Sequence, residues 1–393
     1  MSDEGRAAAV LAGVRDLLPV LRDRAQETED RRSLPTETVK SLAEVGVFQL
    51  LQPARYGGIE AHPLTFLEVI RELGGACGST GWVASVIGVH NWQLGLFPAQ
   101  AQEDVWGEDP ATRMSSSYAP TGKVRAVEGG YRLDGRWSFS SGSEHASWVL
   151  LGGIAAGSGD QPPDFRTYLV PNTDYTIEDV WHTVGLRGTG SNDIVVRDAF
   201  VPAYRSLSFN DTARCVCPGQ ELNTAPLYRI PYGSLFSYAI TTPVIGMAFG
   251  AYRAHVDYLR ERVRAAYAGV KAAEDPFSQV RVAEAAAELD DAWWALEANM
   301  RELMGHVEAD RKIPMPLRLR TRRDQVRGTG QAIRAVDLLF ENSGGRALAV
   351  GTPIQRFWRD AHAGRVHAIN DPERALSMYG RGEFGLTVAD ALV

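Results

Sequence analysis

Cysteine is scarce in this chain, with three in 393 residues. Cys77, Cys215 and Cys217 offer no disulfide framework and fit a reducing compartment. Cys215-Val216-Cys217 is a C-x-C without a second pair, and reads as two incidental loop thiols. The eight histidines show no H-E-x-x-H or related spacing, so no metal site is expected. Positive charge is short too. Lys and Arg number 41 against 48 Asp and Glu, a net charge of −7. That argues against a nucleic-acid surface, which needs clustered cations. No apolar run is long and continuous enough to cross a bilayer. The start, Met-Ser-Asp-Glu-Gly-Arg, lacks the basic and apolar segments of a signal peptide. A cytoplasmic protein without membrane or nucleic-acid partners is expected.

What is present is a change of period. The first ~112 residues read as helices. Residues 35–45 start with Pro35 and Glu37, carry Val39, Leu42 and Ala43 at helical spacing, and stop at Gly46. Residues 79–97 are apolar on nearly all sides, which predicts a helix buried in a core or an assembly. From ~113 to ~222 the period is two. Tyr131–Phe139 alternates after the turn signal Gly129-Gly130, and Trp148–Ile154, Tyr168–Pro171, Thr176–Val184 and Ile194–Pro202 are further strands. No helix separates them, so an antiparallel sheet is expected. Helices return at ~235–267, ~276–311, ~316–342 and ~354–369, joined by short Pro- or Gly-containing turns, as in a bundle. The fold class is α+β: an N-terminal helical domain (1–112), a central antiparallel β domain (113–222) and a C-terminal four-helix bundle (223–393).

Gly185-Leu-Arg-Gly-Thr-Gly-Ser-Asn192 invites a dinucleotide-binding reading and fails it. The third glycine is missing, and a β-rich stretch follows instead of a helix. The chain is not expected to bind NADH.

Several motifs in order are more specific. They are Leu-Leu-Gln-Pro at 50–53, Cys-Gly-Ser-Thr-Gly-Trp-Val at 77–83, Gly-Val-His-Asn-Trp at 88–92, Ser-Ser-Ser-Tyr-Ala-Pro at 115–120, Val-Gly-Leu-Arg-Gly-Thr-Gly-Ser-Asn at 184–192, and Arg-Phe-Trp-Arg-Asp-Ala-His-Ala-Gly-Arg-Val-His-Ala at 356–368. Together they resemble the acyl-CoA dehydrogenase fold over the whole chain. Within it they resemble the oxygenase components of two-component flavin monooxygenases. In dehydrogenases with a late base, a glutamate follows the last core helix. Here the matching position is Ala368, beside His367, which points to the oxygen-activating branch. Glu341 is the only carboxylate of the right type nearby.

The resemblance implies the site residues. Ser116, Ser117 and Tyr118 would meet the flavin's pyrimidine edge, where small hydroxyl residues allow close backbone approach. Phe139, Ser140 and Ser141 match a second flavin strand, with Phe139 flanking the ring and the Ser141 hydroxyl near N5. Trp82 would contact the ring from the buried helix. Arg262, in Tyr258-Leu-Arg-Glu-Arg262, would reach a flavin held mainly by another subunit. Gly345 and Arg346 follow from the Gly-Gly turn, which also reads as a helix C-cap. His90 would accept the phenol proton. His367 and Ala368 would lie against the flavin, with His367 exchanging a proton there. Asp371 would orient His367, although Asp before Pro372 is also a turn signal. His145 and His362 read as structural.

The expected protein is a homotetrameric oxygenase. It takes FMNH2 (or FADH2) from an NADH-dependent flavin reductase, binds O2 at flavin C4a and hydroxylates a bulky phenol ortho to its hydroxyl. The foremost substrate is the secosteroid phenol of steroid ring degradation. Trp92, Phe97 and Tyr238 would suit a polycyclic ligand. The alternatives are a phenol or polyketide hydroxylase of secondary metabolism, an acyl-CoA dehydrogenase, and a non-catalytic flavin-binding protein.

Overall fold

The computed structural model describes residues 2–157, 162–264 and 270–393. Six helices lead: α1 (Asp3–Asp23), α2 (Ala25–Arg31), α3 (Thr36–Glu44), α4 (Pro63–Ala76), α5 (Gly78–Leu94) and α6 (Ala99–Trp106). Strands follow: β1 (Met114–Ser117), β2 (Lys123–Val127), β3 (Gly130–Ser140), β4 (Trp148–Ala155), β5 (Asp164–Pro171), β6 (Tyr175–Glu178), β7 (Asn192–Pro202) and β8 (Ser206–Ser208). After the short α7 (Phe209–Arg214) come α8 (Tyr232–Glu261), a small ribbon of β9 (Val263–Arg264) and β10 (Val270–Lys271), then α9 (Pro276–Glu308), α10 (Met315–Ser343), α11 (Pro353–Arg365) and α12 (Pro372–Glu383).

The helices-sheet-helices order is as expected, with differences in detail. Helix α8 stops at Glu261 and turns into β9. The predicted helix end at 265–267 lies outside the described residues. The strand expected at 176–184 is only β6, because the chain leaves the sheet after Glu178. The predicted last helix splits into α11 and a 3₁₀ turn, Ala368–Asn370.

The β region is two four-stranded sheets, ordered β1-β4-β5-β8 and β2-β3-β7-β6. One pairing, β1 with β4, is parallel, which corrects the all-antiparallel expectation. The cause is a crossover. The β2–β3 hairpin belongs to the other sheet, so the chain re-enters the first beside β1 in the same direction. Leu133, Trp137, Val149, Leu151, Tyr168, Val170 and Ile194 fill the space between the sheets. The Trp137 indole ties them by donating to the Gly152 carbonyl at 2.8 Å. Strand β3 is irregular between Trp137 and Ser140, and Phe139 there has φ of +70°.

Helix α5 is buried over its whole length, as its all-round apolar character implies. Glycine lets it get there. A Cβ on Gly81 would sit 2.5 Å from the Gly74 backbone of α4, and one on Gly74 would sit 2.9 Å from the Pro243 carbonyl of α8. Helix α8 is apolar and long enough to cross a membrane, contrary to the sequence reading, but 94% of its apolar window is buried inside the protein. Such a helix is the core of a bundle.

Candidate functional site

Helix α5 presents two different surfaces along its length. Trp82 lies in its second turn and His90 two turns later, about 12 Å along the axis at 1.5 Å per residue. Each belongs to its own cluster.

At Trp82, three elements converge. Its indole N–H donates to the Ser141 hydroxyl at 3.1 Å, just past the end of β3. Its ring meets His367 edge-on, with centroids 5.7 Å apart. Gly364 permits this approach, since a Cβ there would come within 2.7 Å of Val244 and 3.1 Å of Trp82. His367 follows α11 and caps the 3₁₀ turn, its Nδ1 accepting the Ile369 N–H at 3.2 Å. An accepting Nδ1 carries no proton, so the proton of the neutral ring is on Nε2. Burial of the ring lowers its pKa to about 4, so the neutral form prevails near neutral pH. The segment is anchored from behind. Asn370 donates to the Gly364 carbonyl at 2.8 Å and accepts from Gln325 at 2.7 Å and Thr241 at 3.0 Å.

At His90, the surroundings differ. The ring is fully buried. Its Nδ1 is 3.0 Å from the Met114 carbonyl. A carbonyl only accepts, so Nδ1 carries the proton and Nε2 is a bare lone pair. That Nε2 is buried without a partner among the described residues. Unpartnered buried nitrogens are costly, and a ligand donor would satisfy one. Burial lowers this pKa to about 4 as well, against the Met114 bond. Around it stands an aromatic nest. Tyr118 lies 6.2 Å from His90 and meets Phe209, Tyr232 and Phe236 edge-on.

The structure sorts the predicted residues accordingly. Trp82, Ser141 and His367 meet. Phe139 lies beside them in the chain, 69% exposed. An aromatic residue at positive φ is uncommon and marks a strained, presented side chain. Val366, next to His367, is 82% exposed. Ser117 and Ser140 stitch β1 to β3, through the Ser138 carbonyl at 2.6 Å and Ser115 at 3.0 Å. Ser116 is half-buried on the same strand, and Ala368 is exposed at the start of the 3₁₀ turn. The Tyr118 ring packs on the His90 side. Asp371 does not orient His367. It caps α12, accepting from the Glu373 and Arg374 N–H groups at 3.0 and 3.4 Å. Proline at the first helical position favours that role. Trp92, Phe97 and Tyr238 are fully buried core residues.

Arg262 forms a separate group. It closes α8 and donates to the Ser343 carbonyl at 2.6 Å, at the end of α10. This brings it to the Gly344–Gly345 turn, where Gly344 has φ of +69° and caps α10. Gly345 faces open space, and Arg346 is exposed. Nearby, His255 Nε2 and the Tyr258 hydroxyl are buried without partners among the described residues. Glu341 is exposed on α10.

Three contributors escaped the sequence reading. Thr189 and Ser191 lie in the 184–192 stretch that carries part of the family resemblance, but neither was singled out as a site residue. Ser191 is 2.8 Å from Ser141 and Thr189 is 2.6 Å from Ser191. Asp360, whose carboxyl is raised to about 6 by burial, accepts the Leu186 N–H at 2.7 Å and pins that loop. Thr-x-Ser beside glycine was the available signal.

Two family descriptions match this chain: acyl-CoA dehydrogenase, N-terminal domain, over residues 8–112, and acyl-CoA dehydrogenase, C-terminal domain, over residues 238–372. The chain belongs to the acyl-CoA dehydrogenase family. It is 56% identical to the flavin-dependent monooxygenase oxygenase subunit HsaA of Rhodococcus jostii, over 96% of this chain and 98% of that one. It is 37% identical to the FADH(2)-dependent resorcinol hydroxylase oxygenase component of a Rhizobium species, over 97% and 94%. The crystal structure of 3-HSA hydroxylase from a Rhodococcus species superposes with a TM-score of 0.94 at 55% identity, covering 98% and 99%. The chain is therefore a flavin-dependent monooxygenase, with O2 as co-substrate, and as an oxygenase component it depends on a separate flavin reductase. The missing late glutamate agrees with this branch, and the dehydrogenase and non-catalytic alternatives fall.

The residues fit a flavin. Trp82, His367 and Phe139 offer aromatic surface, Ser141 a hydroxyl, and Arg262 a cation for phosphate.

Proposed function

We propose that this oxygenase hydroxylates a bulky phenol ortho to its hydroxyl, giving a catechol, and that the secosteroid phenol of steroid ring degradation is its substrate. The observation that carries the reading is the bare, unpartnered Nε2 of His90. The Met114 carbonyl holds the ring in the one tautomer that can accept a phenol proton. Removing that proton raises electron density at the ortho carbon. The aromatic nest around Tyr118 suits a polycyclic ligand, and the relatives named above support the choice of a phenol.

The bound flavin, reduced FMN with FADH2 as the second choice, supplies the activation of O2. Trp82, Phe139 and His367 hold its ring, with Ser116, Ser117 and Ser140 along its pyrimidine edge. The hydroxyl of Ser141 faces N5. Ser141 is 8% exposed and accepts from the Trp82 indole, whose ring also meets the His367 imidazole. Neutral His367 keeps its N–H on Nε2 and donates toward oxygen at the flavin. Arg262 and the Gly345–Arg346 turn bind the phosphate end of a flavin centred in a second copy, which requires at least a dimer and fits the homotetramer expected from the family resemblance. Among the described residues, no contact links Arg262 to the Trp82 cluster. The reductase uses NADH. A cytoplasmic location is supported by three free cysteines.

The test is turnover with FMNH2, O2 and a panel of phenols. Catechol formed fastest from the secosteroid phenol supports the reading. Faster turnover of a small or polyketide phenol overturns the substrate.

A further inference from the structure

Behind Ser141 runs a chain of hydroxyls that ends on a carbonyl. Ser141 Oγ is 2.8 Å from Ser191 Oγ, Ser191 Oγ is 2.6 Å from Thr189 Oγ1, and Thr189 Oγ1 is 2.9 Å from the Leu186 carbonyl. All three hydroxyls are buried, at 8%, 3% and 1% exposure. The loop that carries two of them is fixed. Asp360 accepts the Leu186 N–H, Ser79 accepts the Gly188 N–H at 3.1 Å, and the Gly142 N–H donates to the Thr189 carbonyl at 2.8 Å.

Each hydroxyl has one proton and two lone pairs, so the chain has two consistent arrangements. In the first, Thr189 donates to the Leu186 carbonyl, Ser191 to Thr189, and Ser141 to Ser191. Ser141 also accepts from Trp82, which leaves it one free lone pair and no free proton. In the second, all three protons turn. Thr189 donates to Ser191, and Ser191 to Ser141. Both lone pairs of Ser141 are then filled, and its proton is free to point outward. The Leu186 carbonyl loses one donor but keeps the Trp181 indole at 2.8 Å and the Thr189 N–H at 3.2 Å. Neither arrangement strands a buried polar atom, so neither carries the cost of an unsatisfied group.

We propose that Thr189 and Ser191 are positioning residues that set the hydrogen-bonding sense of Ser141 to match the redox state of the flavin. This rests on the reading that Ser141 faces N5. Reduced flavin carries a proton on N5 and needs an acceptor. Oxidised flavin has a bare N5 and needs a donor. The first arrangement serves the reduced form and the second the oxidised form, without movement of any heavy atom. Hydrogen bonds in such a chain reinforce one another, so the three protons turn together.

Cutting the chain should leave Ser141 a donor. In Ser191→Ala its proton has no inward acceptor. In Thr189→Val the Ser191 proton can go only to Ser141, and the Ser141 proton turns outward. Thr189→Ser keeps the chain whole. The experiment is equilibrium titration of the holoprotein assembly with reduced FMN, anaerobically, and with oxidised FMN, for wild type, Ser191→Ala, Thr189→Val, Thr189→Ser and Ser141→Ala. Preference for reduced over oxidised flavin should fall about 3- to 10-fold in Ser191→Ala and Thr189→Val, the worth of one hydrogen bond, and stay at the wild-type value in Thr189→Ser. A wild-type preference in both Ser191→Ala and Thr189→Val, with a changed one in Ser141→Ala, overturns the proposal and leaves the placement of Ser141 standing. A wild-type preference in Ser141→Ala shows that Ser141 does not face N5, and both readings fall. Equal loss of both affinities in Thr189→Ser and Thr189→Val would mark a structural role only and also overturns it.

Discussion

His90 and His367 are the same side chain in two opposite states. Both are neutral near neutral pH, because burial lowers each to about 4. They differ in which nitrogen the backbone engages. At His90 a carbonyl takes the Nδ1 proton and leaves Nε2 a base. At His367 an N–H occupies Nδ1 and leaves Nε2 a donor. Two main-chain groups thus set opposite tautomers at the two rings, with no carboxylate in contact with either ring among the described residues. The pair shows how a histidine's role can be set by tautomer while its pKa stays the same.

The sharpest way to break the comparison is to remove the base. His90→Ala should slow catechol formation by about 10²–10⁴-fold, the usual range for a general base, while oxidation of bound reduced flavin continues. Normal hydroxylation by the folded variant would make His90 a core residue only. Arg262→Ala should weaken reduced-flavin affinity by roughly 1.5–3 kcal/mol, the range for a charge-assisted bond, and a calorimetric titration checks it. Either histidine variant should leave that affinity nearer to wild type, which separates binding from proton chemistry. His367→Ala should lower coupling, measured as catechol per O2 consumed, by about 10-fold, consistent with one lost hydrogen bond. More H2O2 per flavin oxidised would accompany it, and unchanged coupling would make His367 a bystander. Asp371→Ala should cost about 0.5–2 kcal/mol of stability, as loss of a helix cap does, with coupling unchanged. Altered coupling there would restore Asp371 as the partner of His367.

The order of elements was legible because each segment's period reflects its own surroundings. Helix α5 is apolar all round and is buried all round. The parallel pairing of β1 with β4 was not legible, since it depends on a crossover through a second sheet. Asp371 shows a local signal losing to a distant analogy: Asp before Pro marks a helix cap, and it is one. Thr189 and Ser191 lie in a stretch legible as a family motif, but only the folded loop brings their hydroxyls to Ser141. The two tautomers were beyond the sequence. Met114 lies 24 residues from His90, and nothing local says which carbonyl its ring will meet.

Burial of neutral imidazoles also has a cost in acid. His90, His255 and His367 each fall from 6.5 to about 4 on folding. Between those values the unfolded chain binds protons that the folded one does not. Stability should therefore be full above about pH 6.5 and decline toward pH 4, which denaturant titrations across that window would read.

The central claim is the opposite tautomers, and neutron diffraction from crystals in deuterated solvent near pH 7 tests it most directly. Deuterium should appear on Nδ1 of His90 and on Nε2 of His367, with Nε2 of His90 bare. Deuterium on Nε2 of His90, or on Nδ1 of His367, would contradict the division of base and donor proposed for this site.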